Sequence, residues 1–483
     1  MPQDMFKLFS AGVLASVLLG SCSTPKQESR PNVVFILVDD LGWTDLSVMG
    51  SRFYQTPNVD QLADRGTLFT NAYASCTVCS PTRASIMTGK YPATINCTDW
   101  IEGHKMPKAK LKVPDWTMYM DTAEFTLAEA FKENGYNTGH IGKWHLGEDS
   151  LFWPENQGFD VNVGGWAKGS PHRNKKLGSN GYFAPFGNPR LTDQPDDHYL
   201  TERLANEACD YITQNHPDKT GKPFFLNFWL YSVHTPLQAK DDKIAKYKAL
   251  VDSSYYQKNP VYAAMVEHMD DAVGKVIAQL KKDGLVDNTI IVFTSDNGGL
   301  IGRGKRKVTS IHPLRNGKGH MYEGGVRVPL IIVDPRARDN VDKCNEPVIA
   351  CDFYPTLMDM AQLEIPDQVN ASFDGLSLQP LLNGEKELGR EALYWHYPHY
   401  HTEGARPYSA IRKGDWKLIR FFEDDHYELY NLKEDISESR DMAVTQPEKR
   451  DELKQMLFDW YEKVGAQMPI DNPNYDPSNW SKR

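Results

Sequence analysis

Six apolar residues in a row, Val33-Val34-Phe35-Ile36-Leu37-Val38, set the first clear pattern of this chain. No polar position interrupts them, so the run predicts a strand covered on both faces, as in the interior of a parallel sheet. Similar runs recur at Phe224 to Trp229, Thr289 to Thr294 and Val328 to Val333. Between them the period lengthens. Thr126 to Asn134 and Tyr262 to Asp283 read as helices, the second placing Val266, Met269, Val273 and Val276 at three- and four-residue intervals. Strands alternating with helices predict an α/β fold, a large mixed, mostly parallel sheet flanked by helices. Ligands in such folds gather beyond the carboxyl ends of the strands. From Asn156 to Tyr199 the chain is rich in Gly, Pro, Asn and aromatics with little periodicity, which marks a lid or pocket wall.

Near Gly384 to Gly389 the character changes. Ala392 to His396, Tyr408 to Arg412, Trp416 to Phe421 and Tyr427 to Asn431 read as short antiparallel strands joined by turns such as Lys413-Gly414-Asp415. A helix from about Pro447 to Val464 follows. The expected division is a catalytic domain over 31–385 and a small C-terminal α+β subdomain, an antiparallel sheet plus helix, over 386–483. At the other end, Lys7 precedes an apolar run from Ala11 to Leu19, shorter than a bilayer-spanning helix requires. It ends in Leu19-Gly20-Ser21-Cys22, which is similar to a bacterial lipobox. Residues 1–21 are therefore expected to be a signal peptide, Cys22 a lipidated first mature residue, and 22–30 a polar tether. Such an anchor places the protein at the membrane of the bacterial cell envelope, periplasmic or on the outer-membrane surface.

A formal net charge of −10 argues against a nucleic-acid partner, which needs a basic stripe. It leaves an anionic substrate open, because local Lys, Arg, His and metal charge can invert the field in a cleft. Cys76, Cys97, Cys209, Cys344 and Cys351 show no spacing of a zinc site or a disulfide framework and read mostly as buried thiols.

Candidate chemistry concentrates at the predicted strand exits. Asp39-Asp40 follows one strand and Asp296-Asn297-Gly298-Gly299 another, and such hard oxygen ligands suit calcium or magnesium rather than zinc. Gly142-Lys143-Trp144-His145-Leu146-Gly147 follows a predicted strand over Asn137 to Ile141, and an extended backbone there would point Lys143 and His145 the same way. His234, in Tyr231-Ser232-Val233-His234-Thr235-Pro236, follows a further buried strand, and Lys318 sits in the turn Asn316-Gly317-Lys318-Gly319.

Cys79-Ser80-Pro81-Thr82-Arg83, followed by Ala84-Ser85-Ile86-Met87-Thr88-Gly89, resembles the signature of the type I, formylglycine-dependent sulfatases of the alkaline phosphatase superfamily. The resemblance runs from about Pro31 into the C-terminal subdomain. It implies an alkaline-phosphatase-like sheet and a sulfuric ester hydrolase. It also implies that a sulfatase-maturing enzyme oxidises Cys79 to formylglycine (3-oxoalanine), whose hydrate offers one hydroxyl to attack sulfur and a second to expel sulfate. The same resemblance assigns one calcium ion to Asp39, Asp40, Asp296, Asn297 and the modified Cys79. The resemblance further implies that Arg83 braces residue 79 and that Lys143 binds sulfate and the diol. By the same resemblance, His145 is expected to orient or deprotonate the nucleophile, His234 to bind sulfate and protonate the leaving alcohol, and Lys318 to meet the sulfate near the bridging oxygen.

A lipid-anchored sulfatase implies an exogenous sulfated carbohydrate as substrate. Candidate sugar contacts are Asp99, Trp100 and His104 just after the signature helix, and His172 and Arg173 in the long loop, with Trp100 able to stack on a sugar face. The run Gly181 to Pro189 is similar to one in sulfatases of galacto-configured sugars. Two other readings stand beside this one: a formylglycine-dependent phosphonate or phosphodiester hydrolase, and a glycan-binding lipoprotein without activity.

Overall fold

The computed structural model describes residues 30–174, 178–193, 199–302, 304–337 and 342–480; the expected signal peptide, Cys22 and all of the tether but Arg30 lie outside them. Nine strands form the main sheet: β1 (Asn32–Val38), β2 (Thr67–Tyr73), β3 (Asn137–Gly142), β4 (Val161–Val163), β5 (Phe224–Trp229), β6 (Thr289–Ser295), β7 (Arg327–Val333), β8 (Lys343–Cys344) and β9 (Val348–Ile349). Their order is β8-β2-β7-β6-β1-β5-β3-β4, with β9 also on β2. The neighbours β6, β1, β5 and β3 are mutually parallel, whereas β7 runs antiparallel to both β2 and β6. The sheet is thus mixed and mostly parallel, as expected.

The unbroken apolar runs have their physical counterpart in two cores. Successive side chains of a strand point to opposite faces. Val34, Ile36 and Val38 of β1 join one cluster and Val33, Phe35 and Leu37 the other. The helices that cover these faces include α1 (Pro57–Ala63), α2 (Cys79–Thr88), α3 (Leu127–Glu133), α4 (Leu200–Gln214), α5 (Pro260–Lys282) and, beyond the short α6 (Glu323–Val326), α7 (Phe353–Ala361). The predicted start at Thr126 is a capping box: Thr126 accepts from the Glu129 N–H while Glu129 accepts from the Thr126 N–H. In α5, Asn259 caps the first turn and Pro260 fills a position whose missing N–H costs nothing.

The architecture changes between Leu382, the end of a short helix, and Leu393. There β10 (Leu393–Tyr397), β11 (Tyr408–Lys413), β12 (Trp416–Phe421) and β13 (His426–Asn431) form an antiparallel sheet in sequence order, covered by α8 (Pro447–Val464). This unit shares a core with the main sheet, since Tyr73, Val78 and Val326 cluster with Trp395, Leu418 and Leu453. A buried ion cluster crosses the same boundary. Lys417 Nζ lies 2.9 Å from both Glu323 Oε1 and Glu438 Oε1, with all three side chains fully buried.

One edge of the main sheet follows from this topology. The carboxyl ends of β6, β1, β5 and β3 lie along it, and so does that of β2, because β2 and β6 are both antiparallel to β7. The reversed β7 starts there.

Candidate active site

The predicted catalytic and metal-binding residues gather at that edge, Arg83 from one turn inside α2. Asp39 and Asp40 follow β1, Lys143 and His145 follow β3, His234 follows β5, Asp296 and Asn297 follow β6, Cys79 opens α2 after β2, and Lys318 precedes β7. Close strand spacing is enforced at Gly142, whose φ is +116° and where a Cβ would meet Trp229 O at 1.8 Å. That leaves room for the Lys143 N–H to donate to Trp229 O at 2.7 Å.

The extended backbone expected across Lys143 to His145 is not formed. His145 has φ of +62°, a left-handed conformation held by its surroundings: its N–H donates to Trp166 O at 3.2 Å and its carbonyl accepts from Ser80 Oγ at 2.9 Å. The two side chains therefore diverge. His145 Nδ1 lies 3.3 Å from Cys79 Sγ, and its Nε2 faces Ile101 O. A carbonyl only accepts, so Nε2 carries the proton and Nδ1 presents its lone pair to residue 79. Burial, then Lys143, holds the ring well below the usual histidine pKa, so it is neutral. Ser80, a variable place in the signature, also accepts from the Ile101 N–H at 3.1 Å and so sews α2 to this turn. Nothing in the sequence marked it.

Beneath lies a buried ionic layer, with Lys318 at its margin. Lys143 Nζ is 2.8 Å from Asp39 Oδ2, and Arg83 Nε donates to Asp296 Oδ2 at 2.8 Å while its Nη1 donates to Lys143 O at 2.9 Å. Lys318 Nζ is 2.7 Å from Asp40 Oδ1, and Asn297 Nδ2 donates to the same oxygen at 2.7 Å. Burial raises the carboxyl of Asp39 despite Lys143, whereas Lys318 and His234 overcome burial at Asp40 and hold it low, as Arg83 and Lys143 do at Asp296.

This donor set fits a divalent cation. Asp39 Oδ1 and Asn297 Oδ1 are buried without a hydrogen-bond partner among the described residues, and a hard cation would satisfy both. Ligand atoms of Asp39, Asp40 and His234 also lie within 4.8 Å of one another. His234 adds an imidazole that the sequence reading had kept for substrate. Its Nδ1 is 2.7 Å from Thr235 O, so Nδ1 is the donor and Nε2, 3.6 Å from Asp40 Oδ2, is the open nitrogen. Burial and then Lys318 push its pKa down to about 3.

Above this layer opens a cavity of about 350 Å³ lined by Cys79, His145, His234 and Lys318 at its floor. Lys143 and Arg83 do not line it. Trp100, His104 and His172 do. Trp100 Nε1 donates to His104 Nδ1 at 2.6 Å, and His104 Nε2 meets Thr402 Oγ1 at 2.9 Å. Asp99 is a correction: it is buried, and its Oδ1 accepts from Tyr397 Oη and the Trp100 N–H, both at 2.8 Å, so it braces the wall instead of facing sugar. Its burial lifts the carboxyl pKa to about 8. Arg173 is a second correction, standing exposed on a two-residue strand away from the cavity. No residue of the run 181–189 lines it either. Tyr182 there is buried, and its one hydroxyl proton is shared between the carbonyls of Tyr231 and His234, at 2.6 and 2.9 Å from Oη, which ties down the His234 turn. The sequence reading missed Glu102 and Lys168, an ion pair on the rim, and His401, Thr402 and Glu403, which the C-terminal unit contributes.

Comparison with known proteins agrees with this geometry. The sulfatase family profile matches residues 31–363, and that of the N-sulphoglucosamine sulphohydrolase C-terminal region matches 316–465. A sulfatase of Formosa agariphila is 32% identical, covering 91% of this chain and 90% of the relative. An N-acetylglucosamine-6-O-sulfatase of Bacteroides thetaiotaomicron is 29% identical over 92% of this chain and 89% of its own. The crystal structure of Ps i-CgsB in complex with k-i-k-neocarrahexaose superposes with a TM-score of 0.75 at 27% identity, covering 94% of this chain and 96% of the other.

Proposed function

Since the chain belongs to the sulfatase family and is a sulfuric ester hydrolase, we propose that it removes sulfate from O-sulfated sugars of exogenous glycans, using residue 79 as formylglycine and one bound calcium ion. The sugar substrate is supported by the relative named an N-acetylglucosamine-6-O-sulfatase and by the k-i-k-neocarrahexaose in complex with the structural neighbour. The observation that carries the reading is the stacking of two layers: Cys79, His145, His234 and Lys318 on the cavity floor, and Asp39, Asp40, Asp296, Asn297, Arg83 and Lys143 directly below.

In this arrangement formylglycine would supply a hydrated aldehyde with two hydroxyls, and the cation held by Asp39, Asp40, Asp296 and Asn297 would supply Lewis acidity. The chain's own residues do the rest. His145, neutral and with Nδ1 turned to residue 79, is placed to take a proton there. Lys318, on the floor, is placed to meet an anionic sulfate oxygen. His234 presents Nε2 to the cavity region. Burial and then the Lys318 charge depress its pKa; a sulfate group beside it would offset the second of these and so favour the protonated acid that an alkoxide leaving group needs. Arg83 fixes Asp296 and the Lys143 carbonyl, holding two strand exits in register.

The catalytic and C-terminal units are proposed to divide near residue 385. The lipobox-like Leu19-Gly20-Ser21-Cys22 supports a lipid anchor in the cell envelope. Sulfate release from a panel of sulfated mono- and disaccharides, with an aryl sulfate and an aryl phosphate in parallel, tests the activity. Turnover of the phosphate alone would replace this reading with a phosphoester hydrolase. Sugar binding without turnover, in protein shown to carry formylglycine and metal, would leave only a glycan-binding role.

A further inference from the structure

Gly319, next to Lys318, is held on two sides. Its N–H donates to Thr77 O at 2.9 Å, and its carbonyl accepts from Tyr408 Oη at 2.8 Å. The same Tyr408 Oη lies 2.7 Å from Thr77 Oγ1. A phenol has one proton, and here it goes to the Gly319 carbonyl, so the Thr77 hydroxyl is the donor in the second contact. The result is a directed chain, Thr77 O–H to Tyr408 O–H to Gly319 C=O, closed by the Gly319 N–H on the Thr77 carbonyl. Thr77 stands two residues before Cys79, and Gly319 one after Lys318.

Tyr408 opens β11 of the C-terminal sheet and is 1% exposed. Its ring stacks on Tyr397 at 5.3 Å and meets the edge of Phe421 at 6.5 Å, so the hydroxyl has little freedom. Gly319 cannot relax away. It sits at φ +83°, and a Cβ there would lie 2.5 Å from His401 Nδ1, a residue of the cavity wall. A few residues on, the same C-terminal unit anchors the segment again: the Glu323 N–H donates to Glu438 Oε2 at 2.6 Å, and Lys417 grips both carboxylates.

We propose that Tyr408 is a positioning residue for sulfate hydrolysis: through its paired hydrogen bonds to Thr77 and Gly319, the C-terminal sheet sets the separation of Cys79 and Lys318 across the cavity floor. This rests on the reading that both residues meet the substrate. It gives the C-terminal unit a part in the reaction beyond lining the cavity with His401 and its neighbours.

The test compares Tyr408→Phe, Thr77→Val, Thr77→Ser and the Tyr408→Phe/Thr77→Val double variant, in full-length protein with formylglycine and metal contents measured and matched. An aryl sulfate gives kcat and KM, inorganic sulfate as inhibitor gives Ki, and a thermal melt confirms folding at the assay temperature. Tyr408→Phe keeps the ring and is expected to lower kcat on the order of 10- to 100-fold, the scale of a small misplacement of reacting groups, and to weaken sulfate inhibition. Thr77→Val should do the same, the double variant should be no worse than either single, and Thr77→Ser should stay near the parent. A kcat within twofold of the parent for Tyr408→Phe, or losses that multiply in the double variant, would overturn the proposal. If Lys318→Ala also turned over normally, the site itself would be misread, a different failure from that of the tyrosine.

Discussion

Lys143→Met is the perturbation that most directly tests the buried ionic layer. Lys143 Nζ lies 2.8 Å from Asp39 Oδ2 and 4.0 Å from Asp296 Oδ2, and all three side chains are fully buried. The other Asp39 oxygen has no partner among the described residues. Methionine keeps most of the alkyl stem and removes the charge, so Asp39 must either stay ionised without compensation or take up a proton. Removing one member of a buried pair costs about 3–5 kcal/mol. Coulomb's law at an effective dielectric near 20 gives the same order, about 4 kcal/mol for unit charges at about 4 Å. A divalent cation held by Asp39 would compensate the stranded carboxylate and would itself lose a repelling ammonium. The deficit is therefore expected to be large in chelator and clearly smaller in saturating calcium. By linkage, the variant must then bind calcium more tightly than the parent, by tenfold for each ~1.4 kcal/mol recovered. Calorimetric titration of metal-stripped protein reads the affinity, and denaturant melts with and without calcium read the deficit. An unchanged dissociation constant together with equal deficits in both conditions would refute the argument, since it would mean that Lys143 and the metal do not share Asp39.

Three further outcomes are expected. Mass spectrometry of the peptide bearing Cys79 from an active preparation should show the side chain as an aldehyde in place of the thiol; full activity with only cysteine there would end the formylglycine reading. His234→Ala should lose far more kcat/KM on a sugar sulfate, whose alkoxide leaves poorly, than on an aryl sulfate, and equal losses would remove His234 from the acid role. Asp99, with its pKa raised by burial to about 8, contributes stability that is complete below the unfolded carboxyl pKa and is lost as pH rises toward 8. Asp99→Asn should therefore flatten the decline of stability with pH between about 4 and 8, and an unaltered slope in melts across that range would show the carboxyl to be ionised.

The legible parts of this chain are those settled by local pattern. β1, β5, β6 and β7 stood out because burial on both faces makes them nearly continuous apolar runs, with polar residues confined to their ends apart from Asn227 in β5. Helix α8 was bounded correctly at Pro447 and Val464 because Pro sits in its first turn and Gly465 ends it at φ +64°. His145 was misread because a left-handed non-glycine residue leaves no mark of its own. Its conformation comes from Ser80 and Trp166, remote in sequence. Asp99 was located at the site but given the wrong task, since the group that turns it inward, Tyr397, is 298 positions away. The cavity wall from His401 to Glu403 was missed for the same reason: a turn between strands of a second sheet has no local pattern that says what it faces.

Depth in the site also separates the two lysines that the family resemblance treats alike. Lys318 lines the cavity and reaches down to Asp40, so it can answer either a carboxylate below or an anion above. Lys143 is sealed in the layer beneath, with Asp39 and Asp296 as its nearest anions. In that layer and its margin the formal charges of Arg83, Lys143 and Lys318 match those of Asp39, Asp40 and Asp296, and His145 and His234 are held neutral by burial and the neighbouring lysines. A site so balanced has little net pull on a sulfate monoester. Two added positive charges on the carboxylates would tip the local field positive within a chain whose net charge is −10. Lys318 would then be the residue whose ammonium could face an anion in the cavity, while Lys143, on Asp39 and under the Arg83 contact to its carbonyl, would still hold the strand exits together. Loss of Lys318 should thus weaken inhibition by inorganic sulfate, and loss of Lys143 should register first in metal affinity.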